Sequence, residues 1–202
     1  MPAIAAKMTV AQKRIAYVKM MAADAFSTHE IREVTDGGPA RLWECERPGS
    51  RIYGFRVTVV PGSIFLTGDL GVLVVQRQED MIDWARAAIN DIGYFAEKVS
   101  SEISTRDFDP ARVTEWLELE RAETDDPSDE LQEAWNGLAE SLRRGVSEHE
   151  IQSALVETPP LYHCDFPDFT NWKHSFLWQR EAIAWWLQNL VGKNVPNLRA
   201  DS

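Results

Sequence analysis

"RIYGFRVTVVPGSIFLTGDLGVLVVQ", residues 51–76, decides the fold. Over 51–60 the side chains alternate, with Tyr53, Phe55, Val57 and Val59 on one face and Arg56 and Thr58 on the other. That is the two-residue period of a half-buried strand. Val60-Pro61-Gly62-Ser63 suits a type II turn, because proline presets φ at the first central position and glycine supplies a positive φ at the second. Strands from Ile64 to Gly68 and from Val72 to Gln76 follow, separated by Gly68-Asp69-Leu70-Gly71. Asp69 is either a catalytic carboxylate at a sheet rim or the residue this turn requires. An aspartate early in a tight turn accepts hydrogen bonds from backbone N–H groups two residues on, and Gly71 adopts the left-handed conformation. The turn reading uses every small or polar position and needs no chemistry.

Upstream, "RLWECE" at 41–46 alternates in the same way and ends in "RPGS", which fits a tight turn. Residues 9–25 set Val10, Ile15, Val18 and Met21 or Ala22 near one helical face, and "TDGGPA" at 35–40 breaks the chain after them. Downstream, Glu79 to Asn90 is amphipathic. Asp109-Pro110 and Asp126-Pro127 each read as an N-cap followed by proline at the first helical position. The second is followed by Leu131, Trp135, Leu138 and Leu142 on one stripe. Ser147 to Glu150 matches a capping box. "ETPPLYHCDFPDFTNW" is too rich in proline and aromatics to be regular. "HSFLWQREAIAWWLQNLVG" is apolar around most of its circumference, as a central helix is, and Gly192 is a natural stop. The expected fold class is α+β. A three- to four-stranded antiparallel meander over about 41–76 packs with an N-terminal helix and a C-terminal helical layer, as one domain over 1–202. Within it, 1–100 carries the first helix and the sheet, 101–156 an acidic helical section, and 157–202 the aromatic loop and buried helix.

Hydrophobic residues at 44% and charged residues at 26% suit a folded globular chain. The net charge of −11 is uneven: residues 101–150 hold 15 Asp/Glu against 5 Lys/Arg, and the other 152 residues hold 17 against 16. Such a surface repels a phosphate backbone, so direct duplex DNA binding is disfavoured, and it attracts basic protein surfaces. Cys45 and Cys164 are too few for a disulfide scaffold and read as reduced thiols. "MPAIAAKMTV" lacks the apolar core of a signal peptide, and no run is long enough to span a membrane, so cytoplasmic residence is expected.

"YGFRVTVVPGSIFLTGDLG" at 53–71, "EDM" at 79–81, "GYFAEK" at 93–98, "FDPARV" at 108–113 and "DFTNWKHSFLWQREAIAWW" at 168–186 occur in an order that resembles a widespread family of small phage and prophage proteins. The likeness covers roughly residues 51–113 and 165–187. The chain departs from the pattern at Val60, where tryptophan is familiar, and in its acidic middle section. The resemblance implies a phage origin rather than a mechanism; phage accessory proteins of this size commonly act in host takeover or counter-defence.

Two kinds of site follow. Glu115, Glu118, Asp125, Asp126, Asp129, Glu130 and Glu133 form a candidate partner-binding surface, because the apolar stripes of their helices are already committed to a core. They suit occlusion of a basic groove on a host nucleic-acid-handling defence complex such as a CRISPR effector, with the carboxylates standing in for DNA phosphates. Alternatively, Asp69, Asp80, Glu97 and Lys98, with Glu79 nearby, would serve a small metal-assisted hydrolase or nucleotide-modifying enzyme if they converge. The bland account of Glu79 and Asp80 is acids at a helix N-terminus. His163, Cys164, Asp165, Asp168 and His174 match no zinc spacing, and a Cys164–His nucleophile lacks its motif. No phosphate-binding glycine loop, nucleophile elbow or zinc-protease motif occurs, so neither cofactor nor metal is expected. A third reading is self-association through some of the eight tryptophans.

Overall fold

The computed structural model describes residues 8–35, 38–77, 80–158, 161 and 169–190. The chain forms two compact units, residues 1–105 with 172–202, and residues 106–171. The fold class is α+β, as the sequence indicates.

The first unit is built on a five-stranded antiparallel sheet in sequential order: β1 Glu30–Glu33, β2 Arg41–Arg47, β3 Ser50–Val60, β4 Ser63–Gly68 and β5 Leu73–Gln76. Register explains its core. Trp43, Val57, Leu66 and Leu73 are successive cross-strand partners, and so are Val59, Ile64 and Val75. All seven are buried on one face, because pairing apolar positions across strands keeps the alternation in phase over the whole sheet. α1 Val10–Ala25 and α7 His174–Asn189 pack against each other, burying Val18 and Ala22 from the first and Phe176, Ile183 and Trp186 from the second. Trp186 meets Trp43 edge-on at 5.1 Å between centroids. α2 Met81–Ala88 and α3 Ile92–Ala96 complete the unit.

Gly62 has φ 81 in the β3–β4 turn, as the Pro-Gly pair demands. Two features depart from expectation. β1 has one apolar residue in four and no alternation to read; its pairing to Trp43–Glu46 is reinforced by Glu33, which accepts from Arg41 Nε and Nη2 at 3.0 and 2.7 Å. The face expected for Tyr53 is also corrected. Cys45 pairs with Phe55 and Arg47 with Ser50, so four residues of β3 oppose Glu46 alone. Tyr53 leaves the inner face at this bulge with φ 59.

His29 is buried beneath the bulge, ringed by Phe26, Phe55 and Trp185 at 5.3, 6.4 and 6.0 Å. Its Nε2 lies 3.2 Å from the Tyr53 carbonyl oxygen, so the neutral ring donates there. Burial lowers its pKa, outweighing the hydrogen bond to Tyr53 that raises it. The unfolded chain therefore takes up this proton before the folded one does. Stability from His29 is complete above the unfolded value near ~6.5 and falls as pH drops toward the lowered folded value. Urea titrations at stepped pH are expected to show a steeper loss over that window for the native chain than for His29→Gln; equal slopes would contradict the assignment.

The second unit contains α4 Pro110–Glu123, α5 Asp129–Arg144 and α6 Glu148–Glu157, with β6 Arg106–Phe108 paired to β7 Thr170–Trp172. Its core gathers Val113, Trp116, Leu117, Trp135, Leu138, Ile151, Leu155 and Leu161. Asp109 caps α4 as expected: Oδ1 accepts from the Ala111 N–H at 3.1 Å, while Oδ2 accepts from Asn171 Nδ2 at 2.9 Å. Ser147 and Glu150 form the capping box of α6. The Asp126-Pro127 cap is corrected. Ser128 caps α5, its hydroxyl accepting from the Leu131 N–H at 3.2 Å, and Asp126 sits in the preceding loop with φ 57. Both serine and aspartate are good caps, and with the left-handed conformation at Asp126 the helix starts two residues later. Gly192 lies outside the described residues.

Candidate functional site

Asp69 is held by the bulge more than by its own turn. Its Oδ2 accepts from the Tyr53 N–H at 2.8 Å, and its own N–H donates to the Gly54 carbonyl at 2.9 Å. Gly68, at φ 128, lies against that backbone so closely that a Cβ would stand 2.6 Å from the Gly54 oxygen. The turn is clasped from the other side by Gln179 of α7, whose Nε2 donates to the Leu70 and Val72 carbonyls at 2.9 and 3.2 Å. A non-glycine residue in the left-handed region costs on the order of 1–3 kcal/mol, and the Asp69 carboxylate helps to hold Tyr53 there. Asp69→Ala is expected to destabilise the chain by about 1–2 kcal/mol, because the Tyr53 N–H loses its acceptor. An unchanged urea midpoint would refute that role.

The remaining members of the proposed enzymatic set have structural employment. Asp80 caps α2, Oδ1 accepting from the Ile82 and Asp83 N–H groups at 3.0 and 3.2 Å. Glu97 and Lys98 pair with each other at 3.6 Å, and Lys98 Nζ lies 5.0 Å above the Tyr94 ring. The Lys98 carbonyl accepts from the Gln76 N–H at the far end of β5. Three strand residues, roughly 10 Å, separate that point from Leu73, which follows the Asp69 turn. Asp69 lines a cleft of about 530 Å³ with Glu44, Glu46, Arg51 and Arg56, and Asp80, Glu97 and Lys98 are not on its walls. The structure therefore does not bring Asp69 and Lys98 together as a reacting pair.

Glu79, His163, Cys164, Asp165 and Asp168 lie outside the described residues. His174 is described, and its Nε2 accepts from Trp178 Nε1 at 2.9 Å. Cys45 is buried, and burial drives its thiol far above the usual range, so this thiol stays protonated at neutral pH. Among the described residues no three His, Cys, Asp or Glu side chains are grouped to hold a metal ion. Nor, among them, is any helix long and apolar enough to cross a membrane.

The seven acidic residues behave differently. Residues 106–171 carry 17 Asp/Glu against 5 Lys/Arg, a net of −12, while the rest of the chain carries 15 against 16, a net of +1. The charge thus divides along the same boundary as the packing. On α4, Glu115 and Glu118 lie about 150° around the helix from the stripe of Val113, Trp116 and Leu117. On α5, Asp129 and Glu133 stand opposite Trp135 and Leu138, with Glu130 on a flank. Asp125 and Asp126 occupy the connecting loop, and all seven side chains are exposed. Arg121 Nη2 donates to Asn136 Oδ1 at 2.9 Å and ties α4 to α5. Asp125, Asp126, Asp129, Glu130 and Glu133 lie in or next to the connecting loop, while Glu115 and Glu118 lie along the middle of α4. From Glu115 to the end of α4 is only ~12 Å at 1.5 Å per residue.

None of the seven enters an ion pair among the described residues. The cations of this unit are elsewhere or occupied: Arg143 is bound to Glu140 at 2.7 Å, Arg112 donates to the Thr170 carbonyl, and Arg121 lies over the Trp135 ring at 6.0 Å. Glu123 belongs to the same exposed surface and was not singled out from sequence. The signal was available, since Glu115, Leu119 and Glu123 recur every four residues and Leu119 is itself exposed. Comparison with known proteins finds no matching family model, no similar curated protein and no similar solved structure.

Proposed function

We propose that this protein is a binding inhibitor: the acidic end of the α4–α5 hairpin docks against a basic groove of a nucleic-acid-handling protein and excludes the nucleic acid. The observation that carries this reading is the concentration of a net −12 into one compact unit, with seven exposed carboxylates free of ion pairs among the described residues. Phosphates along duplex DNA recur about every 1.7 Å of axis when both strands are counted. Eight exposed carboxylates, Glu123 included, along one short hairpin give a sparser concentration of the same charge. The resemblance to phage and prophage proteins points to the target class, a defence complex of the host cell such as a CRISPR effector. The first unit then serves as scaffold, its Asp69 turn and α2 cap being structural.

The test is affinity capture from host lysate at low and high salt, followed by competition with nucleic acid on the captured complex. A target released by salt and by duplex or guide RNA supports the proposal. A partner that stays bound in high salt and still binds its nucleic acid would overturn it.

A further inference from the structure

We infer that an open cleft lined by residues of α1, α7 and the C-terminal end of α2 in the first unit binds a small organic carboxylate. The inference is independent of the acidic hairpin, since all the residues involved belong to the other unit. The cleft has a volume of about 300 Å³, at the lower end of the range for small-molecule sites. Ile89, Ala184 and Leu187 supply an apolar wall, and Asn90 and Gln188 add amide donors.

The charges around it divide into those the fold consumes and those it leaves over. Arg180 and Glu181 are nearly buried and pair at 2.6 Å, and Arg180 Nη2 also donates to the Ile89 carbonyl at the end of α2. Those two groups neutralise each other and secure the helix end. Lys19 of α1 has no ion pair among the described residues and lines the cleft. Arg86 of α2 is held only by Asp83 at 3.2 Å, an exposed pair three residues apart of the kind worth little in water. Two available cations therefore line the same cleft as the apolar residues, in a unit whose net charge is +1. A carboxylate can take both cations, while its hydrocarbon part covers Ile89, Ala184 and Leu187. An inorganic anion gains only the first of these contributions, and a neutral hydrocarbon only the second.

Octanoate is the probe, titrated calorimetrically into the full chain with inorganic phosphate as the comparison. Saturable one-to-one binding with a dissociation constant of about 1 mM or below is expected for octanoate, and at least tenfold weaker binding for phosphate. Lys19→Gln with Arg86→Gln, both on exposed positions, is expected to weaken octanoate binding at least tenfold without moving the melting temperature. Ala184→Phe, which fills the cleft and leaves the charges in place, is expected to weaken it similarly. Octanoate that fails to saturate by about 10 mM, phosphate that binds equally well, or a double variant that binds like the native chain would each overturn the assignment.

Discussion

Changing Glu115, Glu118, Glu123 and Glu133 together to lysine is expected to weaken binding to the basic target by at least ~100-fold while the chain remains folded. Four reversals move the net charge from −11 to −3, with all of the change on the hairpin. An exposed cross-interface pair contributes about 0.2–1 kcal/mol, and reversal replaces attraction with repulsion of similar size. Four sites near one another thus amount to roughly 3–4 kcal/mol, and 2.7 kcal/mol already corresponds to a hundredfold. The native complex should weaken steeply between about 50 and 500 mM salt, because exposed charges are screened beyond a Debye length of ~8 Å at physiological ionic strength.

The choice of positions matters to the reading of the result. Asp126 is avoided because its φ of 57 suits aspartate far better than lysine, so a substitution there would strain the loop and blur the outcome. Asp129 and Glu130 are left because the first turn of α5 favours acids. Lysine at 123 falls in the last turn of α4, where a cation complements the helix dipole. The control is a second quartet, Asp24, Glu30, Glu46 and Glu97 to lysine, on exposed positions of the first unit. It changes net charge equally. If both quartets weaken binding alike, the hairpin is not the docking surface, and only overall charge steers the encounter.

The sheet was legible wherever the pleat and the turn chemistry agreed. Val57 and Val59 alternate with Arg56 and Thr58, and Pro61-Gly62 can close only one kind of turn, so β3 and β4 are fixed by local rules alone. Tyr53 shows where those rules stop. Its place in the alternation points inward, but the register is set by Arg47 pairing with Ser50 across the β2–β3 turn, and the surplus residues must bulge. Gly54 permits that bulge, yet its sequence neighbours do not announce it. For Asp69 the sequence suggests donors within its own turn, whereas the donor is the Tyr53 N–H sixteen residues away, a partner that local turn rules do not reach. The acidic surface was readable for the opposite reason. Carboxylates on an amphipathic helix have their direction set by the apolar stripe behind them, so exposure follows from period alone. What period cannot supply is which cations reach across, and here the hydrogen bonds of Arg112, Arg121 and Arg143 decide it.

Beyond its backbone pairing and the exposed Arg32–Glu44 contact, β1 is tied to β2 by one interaction that no period reveals, and Glu33→Ala is expected to cost about 3 kcal/mol of stability. Arg41 is 6% exposed, its guanidinium lies 4.7 Å over the Trp43 ring, and Glu33 is the carboxylate paired with it, at 2.7 Å. Nη1 of the same guanidinium is already buried without a partner, so little slack remains for a further loss. Removing the acid strands a cation against the core. Removing both charges does not: Glu33→Val with Arg41→Leu substitutes apolar side chains on a strand pair and is expected to recover most of the loss, since buried ion pairs are often no better than well-packed hydrocarbon. For an assembly of this size, 3 kcal/mol corresponds to a melting temperature lower by about 6–12 °C. Urea unfolding of the two variants beside the native chain separates the possibilities. A single variant that loses less than about 1 kcal/mol would mean that Arg41 reaches water when Glu33 is gone, and that backbone pairing alone holds β1 to the sheet.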